Sequence, residues 1–355
     1  MTTAAPRTDG LLELDAAALE KALIAINDKP FRARQILGWI YKKGVYDFVR
    51  MTDLSPGLRQ ELGRRYSIVS ARVAATRRSS KDKSAKILIE YPDRQTAEVV
   101  SMKRKDRRTV CVSSQAGCRY GCVFCASSKA GFGRSFSAGE ILQQVLLARD
   151  LFPQERVTHV VVMGMGEPFD NYDAVMKAVG MMNDPRCFGI GARRITVSTA
   201  GVVPGIRRYA HKDIQSELSV SLHAANDPLR SKLMPVNRKW PLKELMAECR
   251  RYTESTGRII TFEYLLIDGV NNSRRDVQEL VSLIGKMPAK FNLIPCNTIA
   301  EFAGAGPGRA DAERFRNWLG YAGLAATVRF SLGSDIEAAC GQLRRTLLKK
   351  PKGRV

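Results

Sequence analysis

The sequence predicts an α/β fold: a partial (β/α) barrel with an N-terminal helical module and a small β-hairpin extension. Three observations lead there. From residue 109 onward, short apolar runs alternate with helical stretches six or seven times. The runs are apolar at consecutive positions, as parallel strands covered on both faces are. Polar residues gather where the runs end, as at a barrel mouth, and no dinucleotide-binding GxGxxG follows the first run.

The elements follow in order. Residues 14–66 read as helical. In LDAAALEKALIAI, Leu19, Leu23 and Ile26 share one face. PFRARQILGWIYKKG opens on proline and closes on glycine, as a single helix does. Ser55 and Pro56 open a third helix. In AKILIEYPDRQTAEVVSM the turn YPDR splits a hairpin. Residues 71–110 hold 12 Lys or Arg against 5 Asp or Glu, in clusters RRS, KDKSAK and KRKDRR. They read as an RNA or DNA backbone contact, or as a charged sheet edge. After TVCVSSQ, Ser137 and Glu140 form a capping box for SAGEILQQVLLARDLF. The remaining strands are VTHVVVMGMG, ITVSTAG, LSVSLH, IITFEYLLI, KFNLIPC and ATVRFS. The domains expected are a helical RNA-binding module at 1–70, a basic hairpin at 71–108, the barrel with a C-terminal cysteine segment at 109–345, and a basic tail at 346–355. The first ten residues read as disordered.

Composition narrows the function. The chain has 355 residues and a formal charge of +22. That imbalance calls for a polyanionic partner, nucleic acid before a membrane surface. No apolar run reaches transmembrane length. No export signal opens the chain, so a cytoplasmic location is expected. In that compartment eight cysteines argue for ligand or redox chemistry over a disulfide framework. Cys187 and Cys249 stand alone and read as buried thiols.

Four cysteines crowd CVSSQAGCRYGCVFC. Cys118, Cys122 and Cys125 offer three thiolates from one loop. Structural zinc commonly takes four protein ligands. Three thiolates can hold a 4Fe–4S cube and leave one iron open. Cys111 falls outside that spacing. The CxxxCxxC loop after the first barrel strand, with Phe124 inside it, resembles that of the radical S-adenosylmethionine (SAM) superfamily. That resemblance assigns Cys118, Cys122 and Cys125 to the cluster, and Gly166 and Glu167 of MGMGEP to the SAM ammonium. Strand-end Ser198, and Ser221, Leu222 and His223 of SLH, could hold its ribose and carboxylate. Asn297 could read its adenine.

The match then tightens. CVSSQAGCRYGCVFC, GFGRSFSAGEI, MGMGEPFDNY, STAGVVPGI, SLHAANDPLRSKLMPVN and DIEAACGQL together resemble the RlmN family of radical SAM dual-specificity RNA (adenine-C2) methyltransferases. The chloramphenicol–florfenicol resistance rRNA methyltransferase is a relative. The resemblance implies methylation of C2 of adenosine 2503 in 23S rRNA, and of adenosine 37 in tRNA. C8 is the alternative carbon. Cys340, expected on a short helix, would take a methyl group from one SAM. A second SAM would yield the 5′-deoxyadenosyl radical that activates it for addition to the base. Glu98 would remove a proton from the adduct. Cys111 would then attack the Cys340 sulfur, forming a disulfide as the product leaves. The implied partners are 23S rRNA, tRNA and an electron donor such as flavodoxin or ferredoxin, acting on a monomer without a membrane. Two departures stand out: residues 330–333 (FSLG) replace a basic-threonine-arginine-glycine run, and Cys296 sits beside Asn297. A noncatalytic iron–sulfur RNA-binding protein is the reading of another class.

Overall fold

The computed structural model describes residues 9–129, 131–212 and 214–343. Of the first ten residues, expected to be disordered, Asp9 and Gly10 pair in parallel with Tyr66 and Ser67; residues 1–8 and the basic tail at 346–355 lie outside the described residues. Three helices come first: α1 (Ala16–Ile24), α2 (Arg32–Leu37) and α3 (Pro56–Arg65). Asp15 and Ser55 accept the N–H groups of Ala18 and Leu58, which supplies the orphan amides of α1 and α3 with partners. The single helix expected over PFRARQILGWIYKKG is α2 followed by a π turn, Gly38–Lys42. Leu19, Leu23, Ile36 and Ile40 are buried in the same core as the barrel.

Ten strands form one sheet. Three antiparallel strands, β1 (Arg72–Arg78), β2 (Ala85–Glu90) and β3 (Thr96–Arg104), lead into seven parallel ones. These are β4 (Arg107–Val112), β5 (His159–Val162), β6 (Ile195–Thr199), β7 (Glu217–Ser221), β8 (Ile260–Leu266), β9 (Ala289–Pro295) and β10 (Ala325–Val328). Their spatial order is their chain order, and β1 does not pair with β10. The barrel is therefore partial. The expected hairpin is present as β2 and β3, and β1 adds a third strand. β3 pairs with β4, so the extension continues the barrel sheet.

Helices α4 (Ala138–Asp150), α5 (Tyr172–Asn183), α6 (Val203–Ala210), α7 (Asp227–Leu233), α8 (Leu242–Thr256), α9 (Arg274–Ile284) and α10 (Arg309–Tyr321) connect the parallel strands. The Ser137–Glu140 capping box forms at α4. Ile141, Leu142, Val145 and Leu146 of α4 are fully buried. At about 1.5–3 kcal/mol for each such side chain, apolar burial sets the seat of this helix. The helical module rests on α4 as well: the Gly139 N–H donates to the Glu13 carboxylate at 2.8 Å, and Arg149 donates to the Tyr41 carbonyl at 2.8 Å. Cys187 and Cys249 are buried thiols, as expected.

The basic clusters divide between buried, paired cations and exposed ones. Arg108 is buried, donates to Glu155 and stacks on Phe152. Lys103 pairs with Glu155 at 2.6 Å, and Arg77 pairs with Glu337 at 3.4 Å. Lys86 is buried against Glu98. A cation buried without a partner would be costly, so these positions follow the acids they face. Lys81, Lys83, Arg104, Lys105 and Arg107 remain exposed. Among the described residues, no helix is long and apolar enough to cross a membrane.

Candidate active site

The strand ends open onto a cavity of about 170 Å³. Cys118, Cys122 and Cys125 line it, with Gly166, Glu167, Ser198, Ser221, His223, Asn297 and Cys340. Of the residues expected to hold SAM, Leu222 alone does not. Its side chain is fully buried in the core, its N–H donates to the Glu263 carbonyl, and its own carbonyl accepts from Arg230. Cys296 also lines the cavity.

The MGMGEP loop is fastened to CVSSQ. The Gly164 N–H donates to the Val112 carbonyl, and the Met165 N–H donates to Ser113 Oγ, both at 2.9 Å. The Met165 carbonyl accepts from the Ser114 N–H at 2.8 Å. Gln115 Oε1 accepts the Glu167 N–H at 2.9 Å. The contact is tight enough to demand glycine. A Cβ on Gly166, whose φ is +98°, would stand 2.6 Å from Gln115 Cβ. Glu167 is thereby aimed into the cavity wall. One oxygen accepts the Phe169 N–H at 3.0 Å, and the other accepts the Ala200 N–H at 2.7 Å. Burial pushes its carboxyl up to about 7, while those amide contacts oppose the rise. A ligand ammonium beside it would favour the carboxylate.

Arg230, quoted in the sequence motif without a role, ties the neighbouring strand ends together. It is fully buried on α7. Its donors reach the carbonyls of Ala200 and Ser221 at 2.9 Å, that of Leu222 at 3.1 Å, and Asn237 Oδ1 at 2.7 Å. The Leu233 carbonyl at the end of α7 accepts the Val123 N–H of the cysteine loop at 3.0 Å. His223 stands edge-on to Phe124 with ring centroids 4.9 Å apart, and its Nδ1 accepts the Leu265 N–H. Burial lowers the His223 pKa to about 3, and Arg230 adds to that.

Cys340 does not sit on the expected helix. A short 3-10 turn, Ser334–Ile336, ends before it, and Cys340 lies in the following turn. This segment is docked on the cysteine loop: the Ala126 N–H donates to the Gly341 carbonyl at 2.7 Å, and Ser127 Oγ donates to the Leu343 carbonyl at 2.8 Å. Asn297 Nδ2 donates to the Cys340 carbonyl at 3.2 Å, and Ser331 of the FSLG stretch donates to Asn297 Oδ1 at 2.9 Å. On its other side, Ser79 and Ser80 hold Asp335, and Asp82 accepts the Gly333 N–H. Cys340 is open to the cavity but ringed by protein. Burial pushes its thiol up to about 11, and Glu263 and Cys125 add to the rise.

Cys111 and Glu98 lie beneath the same segment. Val100 pairs with Cys111 across β3 and β4, and Glu98 is two residues along β3 on the same face. Cys111 packs with Val100, Met165, Ile336, Ala338 and Leu343. Burial raises its pKa well above the usual thiol range, and Cys340 contributes to that rise. The disulfide expected between Cys111 and Cys340 is not formed; all eight cysteines are thiols.

The cysteine loop suits a cluster by its donor chemistry. Burial pushes Cys118 up to about 12 and Cys122 well above its ordinary value, and the neighbouring cysteine sulfurs raise both further. Crowded sulfurs of this kind give up their protons to a cation. Among the described residues, no three His, Cys, Asp or Glu side chains converge as a single-ion site would require. The fit to iron and sulfide therefore rests on three sulfurs along one cavity wall.

Comparison with known proteins agrees with this geometry. Residues 10–68 match the ribosomal RNA large subunit methyltransferase N-terminal domain, and residues 112–284 match the radical SAM superfamily. The probable dual-specificity RNA methyltransferase RlmN of Pelotomaculum thermopropionicum is 48% identical over 337 residues, covering 94% of this chain and 91% of that protein. The chain belongs to the RlmN family of radical SAM RNA methyltransferases. An RlmN-family protein of Caldanaerobacter subterraneus is 43% identical over 96% of this chain and 99% of its own length. The crystal structure of a radical SAM methyltransferase from Sphaerobacter thermophilus superposes with a TM-score of 0.92 at 44% identity, covering 95% of this chain and all of that one. The RlmN-family N-terminal match ends at residue 68, just before β1. The superfamily match begins at Val112, the last residue of β4. Radical SAM proteins in general use a 4Fe–4S cluster and SAM.

Proposed function

We propose that this protein methylates C2 of adenosine in 23S rRNA and in tRNA through a methyl group carried on Cys340. One observation carries the reading: Cys340 opens onto the cavity lined by the three clustered cysteines and the strand-end polar groups, while Cys111 and Glu98 lie directly under its segment. Cys118, Cys122 and Cys125 would hold the 4Fe–4S cluster, and Glu167 the SAM ammonium. Ser198, Ser221 and His223 would hold the SAM ribose and carboxylate, and Asn297 its adenine. When bound, the cluster supplies an electron, drawn from a donor such as flavodoxin or ferredoxin, that cleaves SAM to methionine and a 5′-deoxyadenosyl radical.

The chain's own residues do the rest. Cys340 presents its sulfur to the cavity. Glu98 is the base that takes the proton from the methylated ring carbon, and Cys111 is the thiol that resolves the Cys340–base link. The target base has to leave its stack to reach the cavity. Exposed Arg104, Lys105 and Arg107, at the turn between β3 and β4, offer phosphate contacts to the RNA.

Mass mapping of methyladenosine in rRNA and tRNA treated with the enzyme tests the reading. The 2-methyl isomer is expected, and the 8-methyl isomer would overturn it. In the same assay Cys111→Ala should accumulate RNA covalently bound to Cys340. Normal turnover without bound RNA would remove Cys111 from the release step.

A further inference from the structure

Lys86 belongs to a cluster that reads as nucleic-acid binding, yet it is among the most deeply buried charged groups of the extension. Its Nζ stands 3.1 Å from Glu98 Oε1, with the two side chains 3% and 1% exposed. The same Nζ donates to the Glu337 carbonyl at 2.9 Å. Lys86 pairs with Val100 across β2 and β3, which puts it on the face shared by Glu98 and Cys111. One ammonium therefore touches both the proposed base and the main chain of the segment that ends in Cys340.

Stability alone gives little reason for this arrangement. Desolvating two opposite charges costs several kcal/mol each, and packed apolar residues of similar size often serve as well. Glu98 is also absent from the cavity lining. It is covered by the segment that Lys86 holds, and Glu337 is strained there, with a φ of +53°. Asp82 fastens the same segment at Gly333, and Ser79 and Ser80 fasten it at Asp335, seven and five residues before Cys340; Lys86 links that docking to the carboxylate.

We propose that Lys86 is a positioning residue that keeps Glu98 a carboxylate and ties it to the Cys340 segment, so that proton removal occurs only with that segment seated. This rests on reading Glu98 as the base. Among the described residues, the charged and titratable groups around Glu98 include Lys86 on β2, Cys111 on β4, and Glu337, whose carboxylate pairs with Arg77 on β1. Without Lys86, burial would drive Glu98 toward its protonated form.

The test follows the covalent RNA–Cys340 adduct on denaturing gels across pH, relative to wild type at each pH. Methyl transfer to Cys340 is measured alongside to count competent protein. Glu98→Gln should hold the adduct at every pH. Lys86→Met should resolve it at least about tenfold more slowly near neutrality and recover as pH rises, a loss of about 1.4 kcal/mol. Lys86→Arg should restore the wild-type pH profile. If Lys86→Met does not fold, Lys86→Gln, which keeps a donor without the charge, should show the same pH dependence. Resolution by Glu98→Gln at the normal rate would remove the base and the proposal built on it. An adduct held by Glu98→Gln, with Lys86 variants matching wild type at all pH values, would overturn the role of Lys86 alone.

Discussion

The cavity and the covered face of β2, β3 and β4 lie on opposite sides of the Cys340 segment, and they are built differently. The cavity is walled by strand ends and loops whose amides and carbonyls are already paired, as at Glu167, Arg230 and His223. Its polar groups stand open and fixed, ready for a small ligand. The covered face hides Glu98, Lys86 and Cys111 under apolar contacts from Ile336, Ala338 and Leu343. That segment keeps all three side chains dry while it is seated.

Breaking the cavity side at its proposed cluster ligands should give the largest effect. Cys122→Ala is expected to lose bound iron and to form no deoxyadenosine above background. Cys249→Ala, a buried thiol outside the cavity lining, should keep both; iron analysis and product chromatography check the pair. Next comes the cradle of Glu167. Gly166→Ala meets Gln115 and needs a positive φ, so SAM affinity by equilibrium dialysis should fall by at least about tenfold, or ~1.4 kcal/mol.

A smaller effect separates two buried groups of the cavity by pH. The unfolded chain protonates His223 near 6.5, whereas the folded site does so near 3. Between those values the unfolded state binds more protons, so this group's contribution is complete above 6.5 and is lost as pH falls. Glu167 has the opposite sign, because its folded pKa near 7 lies above the ordinary 4.5. The folded state then binds more protons, and stability rises as pH falls through that window. The two slopes offset in wild type. His223→Asn should leave the Glu167 slope alone and become more stable from about pH 6.5 to about pH 5, by roughly 1 kcal/mol per pH unit. Thermal melts at the two pH values test this. The smallest effect lies on the exposed cations. Arg104→Ala or Lys105→Ala should weaken RNA binding modestly and lower the salt slope by about 1 each, while the buried Arg108 should act on stability instead.

The βα rhythm, the capping box at Ser137 and the cysteine loop were legible because each is a local pattern. Periodicity, a cap and three close cysteines need no distant partner to be recognised. Glu98, Cys111 and Cys340 drew notice through family resemblance, since a single carboxylate or thiol carries no local signature. The division of the basic clusters was not legible. Lys86 and Lys83 stand three residues apart in one run, yet one is buried and the other exposed. Strand pairing and the path of residues 331–343 make that difference. Arg230 escaped notice because three of its four acceptors are main-chain carbonyls, which every sequence contains.

The sequence by itself determined the order of strands and helices, the three sulfurs of the cysteine loop and the need for a polyanionic partner, because these follow from spacing and charge. Tertiary structure alone decided that MGMGEP is zipped to CVSSQ, that Cys340 lies in a turn docked on the cysteine loop, and that Lys86 faces Glu98. Those contacts join positions from 12 to more than 200 residues apart. They depend on which strand faces meet and on which buried charges then find a partner.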